Sequence, residues 1–222
     1  MPKVESKYLE EKRNAILDAA FQVCMKKPVY AVTMKDIILE TGFSHGLIYK
    51  YFSNIDEVFT GLVNREAEKE NFKNEVESIM KNNCIPEEKI KALFDIIKSH
   101  LNVSISGFGK IQFELSSIYI NDKERLKYYE EHLNTGYGTD YLITVMFDYI
   151  SEKERDGYFK VNQPLEQIFL FVIASLDGIV RDSVLVECYE DFAKYHVSLK
   201  FDSDKMIDNL YLSLIYLLGV KE

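Results

Sequence analysis

The sequence predicts an all-α protein in which an N-terminal three-helix unit, containing a helix-turn-helix, precedes a larger helical domain. Apolar residues recur at the i, i+3, i+4, i+7 spacing of amphipathic helices along most of the chain. The strict alternation of apolar and polar residues that is typical of strands is absent from the sequence. Glycine, proline and capping residues fall between the periodic segments. We expect one domain at residues 1–53 and a second at residues 54–222.

The first helix is predicted over residues 8–27. Ile16, Ala20 and Val23 share one broad apolar face, and Pro28 ends the helix because proline has no N–H to donate and its ring clashes with the preceding turn.

Two short helices follow, joined by a turn. Thr33 and Asp36 have the spacing of a capping box, which begins the first of them. Gly42 tolerates the left-handed conformation in which a helix often ends, and Ser44 is placed to cap a second helix over residues 45–51. Such a pair is typical of a helix-turn-helix, although an ordinary corner of an all-α protein has the same pattern.

The charge distribution favours a nucleic-acid-binding head on an acidic body. The net charge of the chain is −9, yet residues 1–52 contain eight basic and six acidic side chains, a net of +2, which leaves −11 for the rest. The acidic total argues against a protein coated with nucleic acid, whereas a small basic N-terminal unit remains compatible with one local contact. An excess of +2 is small, so chance stays open as its explanation.

Residues 13–21 (RNAILDAAF) and 33–59 (TMKDIILETGFSHGLIYKYFSNIDEVF) resemble the DNA-binding segment of the TetR family of bacterial transcription regulators. The resemblance covers roughly residues 10–60. It implies a DNA-binding head followed by a helical effector-binding and dimerisation domain. The chain departs from the family pattern at Ile55, where many members carry a lysine, and at Lys27-Pro28, which replaces a frequent glycine.

The second short helix is the one expected to enter the major groove, which is wide enough to admit it. Gly46 allows close approach of the backbone to DNA, and His45 and Leu47 are placed to reach base edges. Ile48 and Phe52 should face the protein core. By resemblance Tyr49 and Tyr51 contact phosphates. The full set of expected DNA-binding residues is Thr33, Lys35, Ser44, His45, Gly46, Leu47, Tyr49, Lys50 and Tyr51.

The rest of the chain predicts a helical body rich in aromatic residues. Helices are expected from Pro86 to about residue 101, over 110–120, over 126–150 and over 165–185, with interruptions at 104–109 and near 135–138, and Ser203 is expected to cap the last helix. Most of the aromatics are core candidates, but some suit a cavity for an apolar or aromatic effector. The candidates for effector contact are Phe94, Phe108, Phe113, Tyr141 and Phe169.

The last two helices, at about residues 165–186 and 204–219, are unusually apolar for surface elements. They are either the core of the body or the contact between two copies. The family resemblance implies a four-helix homodimer interface there, and a two-fold dimer suits a palindromic operator in double-stranded DNA.

Other classes of protein find little support. Cys24, Cys84 and Cys188 have no disulfide or zinc-finger spacing, and the four histidines form no metal-binding motif. The chain has no P-loop, no GxSxG and no GxGxxG, so we expect neither an enzyme nor a bound cofactor. Residues 1–14 lack the apolar core of a signal peptide, and no apolar stretch approaches the ~20 residues of a membrane helix. A cytoplasmic protein without membrane contact is expected.

The sequence therefore favours a homodimeric repressor that a small-molecule effector releases from its operator. A DNA-binding protein of the same fold controlled by a protein partner is the alternative. An enzyme whose site assembles from scattered Asp, Glu and Tyr side chains is the third hypothesis.

Overall fold

The computed structural model describes residues 3–69, 71–134, 138–189 and 201–220. Within these residues every regular element is helical and none is a strand, so the all-α prediction is confirmed. A 3₁₀ turn at Val29–Ala31 and a π-helical segment at Ile105–Gly109 accompany the α-helices. The α-helices are α1 (Lys3–Lys26), α2 (Met34–Thr41), α3 (His45–Tyr51), α4 (Ile55–Lys69), α5 (Lys73–Lys81), α6 (Pro86–Ser104), α7 (Lys110–Ile120), α8 (Lys123–His132), α9 (Thr139–Arg155), α10 (Leu165–Cys188) and α11 (Ser203–Leu217).

The helices form two compact units. The first unit comprises residues 1–69 and 107–134, and the second comprises residues 70–106 and 135–222. Helices α4, α7 and α8 thus belong to the same unit as the helix-turn-helix. These compact units do not test whether the DNA-binding domain ends at residue 53, so that boundary stays a prediction.

The first unit has its own apolar core, to which all of its helices contribute. Helix α1 packs against α2, α4 and α7, and α8 packs against α4 and α7. Side chains from α8 line the core but remain partly exposed. Members that are fully or almost fully buried include Ile16, Leu17, Ala20, Ile37, Ile48, Phe59, Leu62, Ile111 and Leu115.

The second unit is built on the packing of α10 against α11 and of α11 against α6. Helices α5 and α9 add further apolar side chains to the same core. Its fully or almost fully buried members include Val76, Ile90, Leu93, Phe94, Leu142, Met146, Ile168, Val172, Ile207 and Leu214.

One local prediction was confirmed only in its position, and another was wrong. The interruption expected at residues 104–109 is a π-helical segment at Ile105–Gly109, so the backbone stays helical there. Gly107 lies close to the ring of Phe21, and a Cβ added at position 107 would be 3.2 Å from that ring. The cap of α11 is Asp202, and not Ser203. The Asp202 side chain accepts a hydrogen bond from the Lys205 N–H.

The segment expected over 126–150 forms two helices, α8 and α9, and residues 135–137 between them lie outside the described residues.

The end of the second unit depends on a glycine. Gly219 has a φ of +80°, and the adjacent Leu218 carbonyl accepts a hydrogen bond from the Lys160 N–H at 3.1 Å. A Cβ at position 219 would lie 2.2 Å from the Lys160 carbonyl oxygen, far inside van der Waals contact. This return of the chain therefore accepts only glycine.

We predict that Gly219→Ala lowers the free energy of unfolding by more than Gly157→Ala does. Gly157 also has a positive φ, of +76°, but nothing lies within 4 Å of a Cβ added there, so its substitution carries only the backbone cost of about 1–2 kcal/mol. Gly219→Ala adds displacement of the Lys160 backbone and its hydrogen bond, roughly another 1 kcal/mol. Urea unfolding at matched protein concentration measures both. Equal losses would contradict the close contact at Gly219.

Candidate DNA-binding surface

Helix α2 begins at a complete capping box. The Asp36 N–H donates to Thr33 Oγ1 at 3.4 Å, and the Thr33 N–H donates to Asp36 Oδ2 at 2.8 Å. The same carboxylate accepts from the Thr33 hydroxyl and, at 2.6 Å, from Lys27 Nζ. These hydrogen bonds, first the one from Lys27 and then those from Thr33, lower the pKa of Asp36 from 3.8 to about 2. The start of α2 is therefore fixed by one charged group.

The turn into α3 follows the sequence prediction. Gly42 adopts a φ of +66° and its N–H donates to the Ile38 carbonyl, which closes α2 in the left-handed conformation. The Phe43 N–H donates to the Thr41 hydroxyl at 3.1 Å. Ser44 Oγ then accepts from the Leu47 N–H at 3.3 Å and caps α3.

Helix α3 divides into an inner and an outer face. Ile48 is fully buried and Phe52, directly after the helix, is 3% exposed, so both face the core as the sequence predicts. On the outer face nothing lies within 4 Å of a Cβ added at Gly46, which leaves room for another backbone. Leu47 and Tyr51 are half-buried. The exposed members of the expected DNA-binding set are Thr33, Lys35, Ser44, His45, Gly46, Tyr49 and Lys50.

His45 and Tyr49 act as one aromatic group on this face. Their rings stack with centroids 4.2 Å apart and planes 22° apart, one helical turn from each other. The sequence predicts separate roles for them, one at base edges and one at phosphate. The stacking means that a change of one ring also changes the orientation of the other.

Ile55, at the position where many members of the resembled family carry a lysine, lies in apolar surroundings. Ile55 begins α4 and packs against the core of the first unit. The expected set of DNA-binding residues therefore includes no phosphate contact at position 55.

Helix α7 reaches the segment that leads into α2. The Val29 N–H donates to Glu114 Oε2 at 2.5 Å, and Lys110 Nζ donates to the Cys24 carbonyl at 2.9 Å. Lys110 and Glu114 also pair with each other at 3.4 Å. Burial raises the pKa of the Cys24 thiol to about 12, so this thiol is an inert core group.

Helix α8 reaches the segment that follows α3. Arg125 Nε donates to Asp56 Oδ1 at 2.9 Å, in the first turn of α4. Asn64 joins the two elements again, donating to the His132 carbonyl at 2.9 Å and accepting from the Asn134 N–H at 2.7 Å. Sequence reasoning missed all of these contacts, because the partners are far apart in the chain and no motif links them.

The expected effector residues are divided between the two units. Phe108 and Phe113 belong to the first unit, whereas Phe94, Tyr141 and Phe169 belong to the second. Phe94 and Phe108 are 1% and 5% exposed and are core residues of their units. Phe169 is partly buried and stacks on Phe147 with centroids 4.0 Å apart. A role in effector contact stays a prediction for these residues.

Two further features concern the described part of the chain. No cluster of three or more His, Cys, Asp or Glu side chains there is arranged to hold a metal ion. No helix among the same residues is both long enough and apolar enough to cross a membrane.

The chain is similar to known proteins in its N-terminal segment and along most of its length. Residues 16–62 match the model of the bacterial regulatory proteins of the tetR family. The chain is 28% identical over 211 residues, 92% of this chain and 94% of the other, to the uncharacterized HTH-type transcriptional regulator YfiR of Bacillus subtilis (strain 168).

Solved structures share the fold. The fatty acid degradation regulator FadR from Bacillus halodurans superposes with a TM-score of 0.59 at 22% identity, over 94% of this chain and 95% of that one. FadR from Thermus thermophilus, a TetR-family transcriptional repressor in complex with lauroyl-CoA, superposes with a TM-score of 0.56 at 14% identity, over 95% and 96%. At these identities the superpositions concern the fold alone.

We predict that Asp36→Asn lowers the free energy of unfolding at pH 7 by about 1 kcal/mol, because the charge that anchors Thr33 and Lys27 is lost. The pKa of Asp36 is lower in the folded state, so its contribution is present above pH 4 and is lost as the pH falls toward 2. Wild type and variant should therefore converge in stability between pH 4 and pH 2, as measured by thermal unfolding at each pH.

The matched control is Glu40→Gln, which removes a more exposed ion pair with Lys26 and should change stability by less than about 0.5 kcal/mol at pH 7. A gap between wild type and Asp36→Asn that stays constant down to pH 2 would contradict the role of the charged carboxylate.

Proposed function

We propose that the chain is a TetR-family transcriptional regulator, and that it acts as a homodimeric repressor that a small-molecule effector releases from a palindromic operator. The observation that carries the proposal is the division of α3, whose inner side is buried through Ile48 and Phe52 while its outer side presents polar and cationic groups. We place its action in the cytoplasm, where bacterial DNA is found.

The contact to DNA is proposed to combine two kinds of interaction. Lys50, Tyr49 and Tyr51 bind phosphate oxygens and set the position of the helix, which carries no sequence information. His45 and Leu47 contact base edges in the major groove and supply discrimination. Gly46 lets the helix backbone come close to the DNA.

The homodimer is proposed to form through α10 and α11. Both helices expose large apolar side chains to solvent in a single copy, among them Leu170 at 59%, Leu212 at 58% and Tyr216 at 78%. A second copy would bury this surface, which is a liability if left open. Small residues on α10, Ala174, Ser175 and Gly178, line a groove of about 340 Å³ that allows close approach of a partner helix.

The effector is proposed to be a small molecule with an apolar portion that the second unit binds. Phe169, stacked on Phe147 and partly buried, is the best-placed of the candidate residues in that unit, together with the partly buried Tyr141. The lauroyl-CoA complex of the Thermus thermophilus protein, which shares the fold, supports the choice of a fatty acyl thioester as the first probe.

We predict that the purified protein binds the intergenic DNA beside its own gene with a steep salt dependence, and that Lys50→Ala weakens binding to every duplex. Loss of one phosphate contact should reduce the log–log salt slope by about 0.9. His45→Ala should weaken binding to the operator by roughly 1–3 kcal/mol more than binding to unrelated DNA. Fluorescence anisotropy over a salt series measures both effects.

Tyr49→Phe is the control for the stacked pair, since it keeps the ring that supports His45 and removes only the hydroxyl. It should weaken operator and unrelated DNA equally. If the wild-type protein binds no DNA at low salt, the proposal fails.

We further predict that lauroyl-CoA releases the protein from its operator with saturable dependence on concentration, whereas free coenzyme A does not. Phe169→Leu should raise the concentration required for release by roughly tenfold, or about 1.4 kcal/mol, while DNA binding without effector stays unchanged. Operator binding that no concentration of lauroyl-CoA alters would reject this effector class and favour control by a protein partner.

A further inference from the structure

The basic side chains near the helix-turn-helix differ in whether their charge is neutralised. Lys26 Nζ lies 2.7 Å from Glu40 and Lys27 Nζ lies 2.6 Å from Asp36, so the positive charge of each is offset locally. Within residues 7–52, four basic side chains form no ion pair with a carboxylate of the described part of the chain. These are Lys12, Arg13, Lys35 and Lys50.

Lys12 is held by aromatic rings instead of a carboxylate. Its Nζ lies 4.6 Å from the ring centroid of Phe43 and 5.5 Å from that of Tyr8, both within the range of a cation–π contact. An aromatic ring attracts a cation through its quadrupole but has no net charge. The ammonium therefore keeps its full charge, and its restricted position reduces the side-chain entropy that binding would cost.

The ring under Lys12 is next to the entry of α3. Phe43 lies in the turn between α2 and α3 and directly precedes Ser44, the N-cap of α3. The ammonium is thus held by the residue that directly precedes the N-cap of α3, while Lys50 lies in the last turn of this helix. Unneutralised cations consequently stand at both ends of the helix that is proposed to enter the major groove.

Arg13, the neighbouring cation on α1, has a different environment. Its guanidinium lies 5.3 Å from the ring of Phe52, which is buried, and close to Gly61 of α4. Arg13 therefore supports the packing of α1 on α4, and of the two cations only Lys12 is beside the turn into α3.

We propose that Lys12 is a DNA phosphate contact, with its ammonium held over Phe43 and Tyr8 to bind a backbone phosphate beside the point where α3 enters the groove. The inference rests on the proposed function, since it requires α3 to bind DNA. It adds to the binding surface a residue of α1 that lies outside the helix-turn-helix itself.

The test compares Lys12→Gln with Lys7→Gln on the intergenic duplex and on an unrelated duplex of equal length, over a salt series. Lys7 is the matched control, because it lies on the same helix but is strongly exposed and 3.9 Å from Glu11. Lys12→Gln should lower the log–log salt slope by about 0.9 and weaken both duplexes by the same factor, about eightfold at 0.1 M salt. Lys7→Gln should leave the slope unchanged.

A second variant tests the aromatic support. Phe43→Leu removes the ring but keeps an apolar side chain, so it should weaken DNA binding in the wild-type background and have no further effect in the Lys12→Gln background. Equal effects of Phe43→Leu in both backgrounds would overturn the role of the ring.

The outcomes separate this inference from the proposed function. Wild-type binding with an unchanged slope in Lys12→Gln would overturn the Lys12 contact and leave the regulator assignment standing. Absence of DNA binding by the wild-type protein would overturn both. Melting temperatures of the variants show whether a loss of binding is a loss of folding. We expect the melting temperature of Lys12→Gln to equal that of the wild type.

Discussion

The burial of Ile48 and Phe52 is the constraint on which the head depends. Helix α3 has seven residues, far fewer than an isolated helix needs for stability in water. Its conformation and its direction are therefore set by these two side chains, which lie in one core with Phe59 of α4 and Leu115 of α7. Because the buried side of α3 supplies its main apolar contacts, the opposite side is free to carry polar groups.

The α7–α8 hairpin holds the helix-turn-helix from both sides along the chain. Glu114 binds the backbone of Val29 before α2, and Arg125 binds Asp56 after α3. A displacement of the hairpin would act on both of these flanking segments together, and α3 lies between them. Such an arrangement suits a regulator, because a small shift of both contacts would change the direction of a short helix while the helix itself stays intact.

The head could be predicted from the sequence because its signals are local. The Thr33–Asp36 capping box, the left-handed Gly42 and the Ser44 cap each depend on residues within a few positions of one another. The aromatic residues were harder, since Phe94 and Phe108 have the same apolar spacing as a pocket residue but are buried in the cores of different units. The contact between Val29 and Glu114 joins residues 85 positions apart, and no local pattern indicates such a pairing.

The order of the segments along the chain has a consequence for biosynthesis. The first unit needs residues 107–134, but the ribosome makes residues 70–106 of the second unit before them. At 5–20 residues per second, roughly 3–13 s separate the emergence of α4 from that of α8. During this interval the apolar faces of α1 and α4 lack the complete cover of α7 and α8. A recombinant fragment that ends after α4 would retain that uncovered surface permanently.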